Sequence, residues 1–101
     1  MGIKIVFLSG LGARLDGPGG QARHSEWQVD VAEGETVRDL LTRLGVENDK
    51  FRHFVFDPGT LTLAEGIIIV LNGRLLDLVG GLAARLNHGD QLEIVPGFAG
   101  G

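Results

Sequence analysis

Gly100-Gly101, reached through Pro96-Gly97-Phe98-Ala99, is the stretch whose residue types could do chemistry. It follows directly on a strand-like run, Leu92-Glu93-Ile94-Val95. An α-carboxyl on Gly101 would have an unperturbed pKa of about 3.3–3.7, so at neutral pH it is an anion and a nucleophile that needs no base. Glycine lacks a Cβ, so Gly100 and Gly101 could thread a channel too narrow for side chains, and the reacting carbonyl would be unhindered. Such an arm, residues 96–101, would extend from a folded body of residues 1–95. Phe98 is the odd apolar side chain on it. It would either anchor the arm in a partner and set its reach or fold back onto the sheet edge. The alternative to chemistry is a frayed terminus.

Other chemistries find little support. His24, His53 and His88 stand far apart without metal-ligand spacing, and there is no cysteine, so no metal site is expected. Ser9 and Ser25 lack a Gly-x-Ser-x-Gly elbow. Glu33 and Glu35 flank a glycine in a loop, where they serve solubility and, for Glu35, the start of a helix. Gly10-Leu11-Gly12-Ala13-Arg14-Leu15 imitates the start of a dinucleotide-binding turn. Leu15 stands in place of the third glycine, and Asp16-Gly17-Pro18-Gly19-Gly20 interrupts any following helix. From these residues an enzyme in its own right is not expected, nor a permanently bound cofactor.

Composition agrees. With 101 residues, 44% hydrophobic and 22% charged, the chain is one globular domain. A net charge of −4 disfavours nucleic acid and anionic membrane as partners. Met1–Val6 has no apolar leader pattern, and the longest apolar run, Ile67–Leu71, is far short of a membrane span. A cytoplasmic location is the expectation.

The elements that must position the arm follow from periodicity. Ile3–Leu8 reads as a first strand, with Ile3, Ile5 and Phe7 on one face and Lys4, Val6 and Leu8 on the other. Residues 9–24 read as a glycine-rich connection. Ser25–Val31 alternates, with Trp27, Val29 and Val31 facing in. Thr36 and Asp39 form a capping-box pattern before Val37, Leu40, Leu41 and Leu44, one helical stripe, with Gly45 predicted at C′. In residues 47–66, Phe51, Phe54 and Val55 fit a helical turn and Phe54–Phe56 fits a short strand. Asp57-Pro58-Gly59 is a turn before Leu61–Leu63, and the phenylalanines suggest a satellite cluster. Ile67–Leu71 is a strand, Asn72-Gly73 a hairpin turn, Leu82–Leu86 a short helix or 3₁₀ turn, and Gln91–Val95 the last strand.

One helix on one sheet face leaves the other face to be polar, as it is on the second strand. Val6 and Leu8, together with Ile68 and Val70 (or with Ile67, Ile69 and Leu71), break that rule. Either the 47–66 segment covers them, or they form an exposed patch that marks a protein interface.

Three stretches then resemble one family. Gly34-Glu35-Thr36-Val37-Arg38-Asp39-Leu40-Leu41 looks like the helix start of β-grasp proteins, and Val70-Leu71-Asn72-Gly73 looks like their third-strand hairpin. His88-Gly89-Asp90, the strand to Val95, Pro96 and Gly100-Gly101 are similar to the end of MoaD/ThiS sulfur carriers, which are ubiquitin-like. Within the family the chain is most similar to the molybdopterin synthase small subunit. It departs in having Gly97 where a second proline is common and in a longer 9–24 loop.

The resemblance implies an α+β, β-grasp fold: a mixed sheet of four to five strands with one main helix on one face. It implies that an E1-like adenylating enzyme uses ATP to activate Gly101, which becomes a thiocarboxylate. The sulfur would then pass to a molybdopterin precursor in the synthase large subunit, or to an equivalent acceptor in thiamine or tRNA thiolation. Gly100, Phe98 and Pro96 would govern threading and reach. The alternative is a modifier conjugated to target lysines through Gly101.

Overall fold

The computed structural model describes residues 1–8, 11 and 25–97. Strand β1 (Gly2–Phe7) and strand β2 (Ser25–Asp30) pair antiparallel, with Ile3 opposite Val29 and Ile5 opposite Trp27. The last strand, β7 (Gln91–Pro96), lies parallel to β1 on its other edge, with Ile5 beside Leu92 and Phe7 beside Ile94. Strand β5 (Ile67–Leu71) runs antiparallel to β7, with Ile69 opposite Ile94 and Leu71 opposite Leu92, and carries the short β6 (Arg74–Leu75). The five-stranded order is therefore β2-β1-β7-β5-β6.

Directly opposed residues share a face. Ile3, Ile5, Phe7, Trp27, Val29, Ile69, Leu71, Leu92 and Ile94 thus form one apolar surface. Helix α1 (Val37–Glu47) lays its buried stripe, Val37, Leu40, Leu41 and Leu44, into the same core. This is the mixed-sheet, α+β arrangement expected from the sequence.

The capping box at the start of α1 is formed. The Thr36 hydroxyl accepts from Asp39 N–H at 3.1 Å, and the Asp39 carboxylate accepts from Thr36 N–H at 3.1 Å. Behind it, Glu35 pairs with Arg43 at 3.2 Å and accepts from Ala32 N–H at 2.8 Å, tying the approaching loop to the helix.

The C-terminal end corrects the sequence expectation for Gly45. The helix continues to Glu47, and Asn48 caps it, donating its N–H to the Leu44 carbonyl. The Asn48 side chain also accepts from Phe51 N–H at 3.0 Å, starting helix α2 (Asp49–Phe54). Gly45 is buried inside the helix, where an added Cβ would lie 2.9 Å from both the Phe56 carbonyl oxygen and Pro58 Cδ. The glycine is required by close packing of the following loop and not by a left-handed terminus.

The helical reading of Phe51 and Phe54 holds, and the strand reading of Phe54–Phe56 does not: Val55 caps α2, and β3 (Phe56–Asp57) begins only after it and pairs with β4 (Thr62–Leu63). The phenylalanines are not a satellite. Phe51 and Phe56 are fully buried in the single core, and the rings of Phe7 and Trp27 meet edge-on with centroids 4.6 Å apart, beside Phe51. In place of one turn over 82–86 there are two 3₁₀ turns, Leu76–Leu78 and Gly81–Ala83. The chain then bonds back to the helix start, Val37 N–H to Ala84 O and Leu86 N–H to Glu35 O.

The Asn72-Gly73 turn has positive φ at both positions, +50° and +83°, as a type I′ turn demands. Its side chain reaches the start of β7. Asn72 Nδ2 donates to Asp90 Oδ1 at 2.9 Å, and Gln91 N–H donates to Asn72 Oδ1 at 2.9 Å. Asp90 Oδ2 also accepts from Asn87 N–H at 2.8 Å. The Asn-Gly and Gly-Asp signals are thus two halves of one clamp that sets where β7 begins.

Two outcomes follow. Gly45→Ala gains about 1 kcal/mol of helix propensity but overpacks a closed contact, which costs about 1–3 kcal/mol. The variant should unfold at lower urea with an unchanged m-value, and equal or greater stability would refute the close-packing account. The Asp39 carboxyl is held below the ordinary aspartate range, first by the hydrogen bond from the Thr36 backbone and then by that with the Thr36 side chain. A depressed folded-state value contributes stability above about pH 4 that is lost as pH falls further. The stability gap between wild type and Asp39→Ala should therefore be widest at neutral pH and close in acid, and a gap independent of pH would contradict this.

Candidate functional site

The second face of the sheet is divided. Toward β2 it is polar, with Glu26, Gln28 and Lys4 exposed or half-exposed and a 3.9 Å Lys4–Glu26 pair. Toward β7, β5 and β6 it is mostly apolar, with Glu93 the charged residue among the apolar ones. Val6 stands beside Glu93, Glu93 faces Val70, and Val70 faces Leu75. One step along, Val95 faces Ile68, and Leu8 follows Phe7 alongside Val95, its N–H bonded to the Ile94 carbonyl at 3.1 Å. All four residues expected to form an interface, Val6, Leu8, Ile68 and Val70, share this face. The other set, Ile69 and Leu71 with half-buried Ile67, belongs to the core side.

The 47–66 segment does not cover the apolar patch, because its large side chains Phe51, Val55 and Phe56 are spent in the core. Ile68 is 40% and Leu75 50% exposed, Leu8, Val70 and Val95 are half-buried, and Val6 is buried yet lies outside the core cluster. Val95 and Leu75 were missed as patch members. Strict alternation could have found Val95, because Leu92 and Ile94 facing in place Val95 outward. Leu75 depended on the hairpin register.

At the edge of this patch the last strand ends, and the register explains why a proline can end it. Pro96 sits opposite Ile67 at a position that donates no bond to β5; the bonds there run from Gly97 N–H to Gly66 O. On the β1 side, the Leu8-to-Ile94 bond is the last, and the next donor would be residue 96, which has no N–H. Pro96 therefore stops the β1–β7 ladder without breaking the β5–β7 one. The sequence marks Gly97 only as standing where a second proline is common; the structure ties its N–H to Gly66 and lays its backbone against Ile68. Phe98, Gly100 and Gly101 lie outside the described residues.

The groups set aside on sequence grounds have structural partners. His88 Nδ1 accepts from Gly2 N–H at 3.0 Å, and the His53 ring meets Phe54 edge-on. His24, Ser9 and most of the Gly10–Leu15 stretch lie outside the described residues, save Leu11, which is buried. Among the described residues no group of three or more His, Asp or Glu side chains could hold a metal ion, and no helix is long and apolar enough to cross a membrane. What the geometry offers is a partly exposed apolar sheet face with the end of β7 at its rim.

Comparison with known proteins bears on the family and the fold. Residues 20–101 match the model of the ThiS family. A search of curated proteins finds no match. Among solved structures, Urm1 of Trypanosoma brucei superposes with a TM-score of 0.73 at 23% identity, covering 99% of this chain and 96% of that one. SAMP1 of Haloferax volcanii gives 0.71 at 22% identity over 100% of both chains. A putative molybdopterin converting factor, subunit 1, of Pyrococcus furiosus gives 0.68 at 22% identity over 97% and 99%. At these identities the structures share the fold.

Proposed function

Because the chain belongs to the ThiS family, we propose that it is a sulfur carrier, a protein substrate whose reacting group is the Gly101 carboxylate. The observation that carries this reading is that the family match runs through residue 101, over the Gly-Gly segment, while the fold places the root of that segment at the rim of an apolar face.

In the proposed sequence, an E1-like enzyme docks on Leu8, Ile68 and Val70, with Val95 and Leu75 added from the structure, while Val6 of the expected set is buried and supports that face from within. A Gly101 carboxylate oxygen attacks the α-phosphorus of ATP and pyrophosphate leaves, giving an acyl-adenylate. A sulfide-level nucleophile then attacks the acyl carbon, AMP leaves, and the product is a thiocarboxylate. The absence of a side chain at Gly100 and Gly101 lets the segment enter a narrow site. Phe98 would act as the anchor and Pro96 as the fixed origin.

The acceptor we place first is a molybdopterin precursor, in a partner equivalent to the synthase large subunit. This rests on the resemblance of the Gly-Asp, strand, proline, Gly-Gly ending, and a structural neighbour named as a molybdopterin converting factor subunit is consistent with it. Neighbours named as modifiers favour a second reading, conjugation to lysines through the same carboxylate.

Incubation with the cognate activating enzyme, ATP and a sulfide source should exchange one oxygen for sulfur at Gly101, detectable by intact-mass spectrometry. No exchange with the correct enzyme would refute the carrier reading. Higher-mass conjugates that vanish on deletion of Gly101 would establish the modifier reading. Ile68→Glu removes a half-exposed apolar group outside the core, so stability should change by no more than about 0.5 kcal/mol. Affinity for the activating enzyme should fall at least about tenfold. Unchanged affinity would exclude the sheet face as the docking surface.

A further inference from the structure

We propose that Gly97 is a positioning residue that clamps the root of the reactive arm, holding it under the side chain of Ile68 on the docking face. The inference rests on the carrier reading and adds to it a residue and a contact.

Three observations meet at this position. Gly97 N–H donates to the Gly66 carbonyl, extending the β5–β7 pairing one residue past Pro96. Gly97 does not have a positive φ, unlike Gly34, Gly66, Gly73, Gly80, Gly81 and Gly89, so no turn geometry demands glycine there. An added Cβ, however, would meet Ile68 Cδ1 first, then Ile68 Cγ1 at 2.8 Å and the Gly66 carbonyl oxygen at 3.1 Å, so a methyl group there would have to turn the half-exposed Ile68 side chain aside and press on the Gly66 backbone. Glycine is therefore accounted for by close approach to both. The branched side chain of Ile68 lies on the backbone of residue 97, and a proline there would lose the N–H that bonds Gly66.

The consequence is geometric. With residue 97 fixed, a reacting site can lie no farther from it than four extended residues span, at most about 14 Å. Ile68 belongs both to the docking face, opposite Val95, and to the clamp. A partner seated on the face thus touches the side chain that holds the origin of the arm. Precision at the origin matters because a displacement of about 1 Å at a reacting group can cost up to about 100-fold in rate.

The test compares wild type, Gly97→Ala, Ile68→Ala and the double variant in pyrophosphate release by the activating enzyme, with amide exchange at residue 97 followed by NMR. Gly97→Ala should lower kcat about tenfold with little change in KM, since it shifts the arm and leaves the face. Ile68→Ala should mainly raise KM. In the double variant the new methyl group has room, so kcat should recover toward that of Ile68→Ala, a non-additive result. Strict additivity, or a Gly97→Ala variant with wild-type kcat, would overturn the clamp. The exchange measurement is independent of activation: the Gly97 amide should be protected in the free protein and lose protection in Gly97→Ala. If wild type is not adenylated, the carrier reading fails and this amide alone decides the clamp; free exchange in wild type would overturn it.

Discussion

The structure depends on the insertion of its last strand into the middle of the sheet. β7 lies between β1, which it pairs in parallel, and β5, which it pairs antiparallel, and its Leu92 and Ile94 side chains are fully buried. A central strand has both backbone edges satisfied and one face closed by α1, so it cannot slip by one residue without exchanging its buried and open faces. The clamp from Asn72 to Asp90 and Gln91 sets its start, and Pro96 and Gly97 set its finish. Everything proposed for residues 98–101 inherits its position from this one strand.

The same constraint explains the division of the two faces. Phe7, Trp27, Phe51 and Phe56 supply the bulk of a small core, and the helices and the β3–β4 hairpin are committed to that side. The apolar residues on the opposite face are therefore not needed for the core. Their concentration at the β7–β5–β6 end, away from the charged β2 side, is the arrangement expected of a surface that meets another protein.

Much of this was legible in the residues. The alternation of β1 and β2, the stripe of α1 with its Thr36–Asp39 cap, the Asn72-Gly73 turn and the strand before Pro96 are all local patterns. Local hydrogen bonding and side-chain period are enough to write them. The choice between Ile68 with Val70 and Ile67 with Ile69 was not legible, because a wholly apolar strand has no alternation to read. It was resolved by the pairing of Ile69 with Ile94.

By itself, the sequence determined the long strands, the main helix with its cap and the family the chain resembles, since these rest on residue type and short-range spacing. Tertiary structure alone decided the roles of two glycines. Gly45, read as a helix terminus, lies inside the helix with Phe56 and Pro58 packed on it, and Gly97, read only as a missing second proline, is held between Gly66 and Ile68. A glycine needed for a turn announces itself through its neighbours in the chain. A glycine needed for a close approach answers to atoms that are distant in sequence, and only the folded chain brings them together.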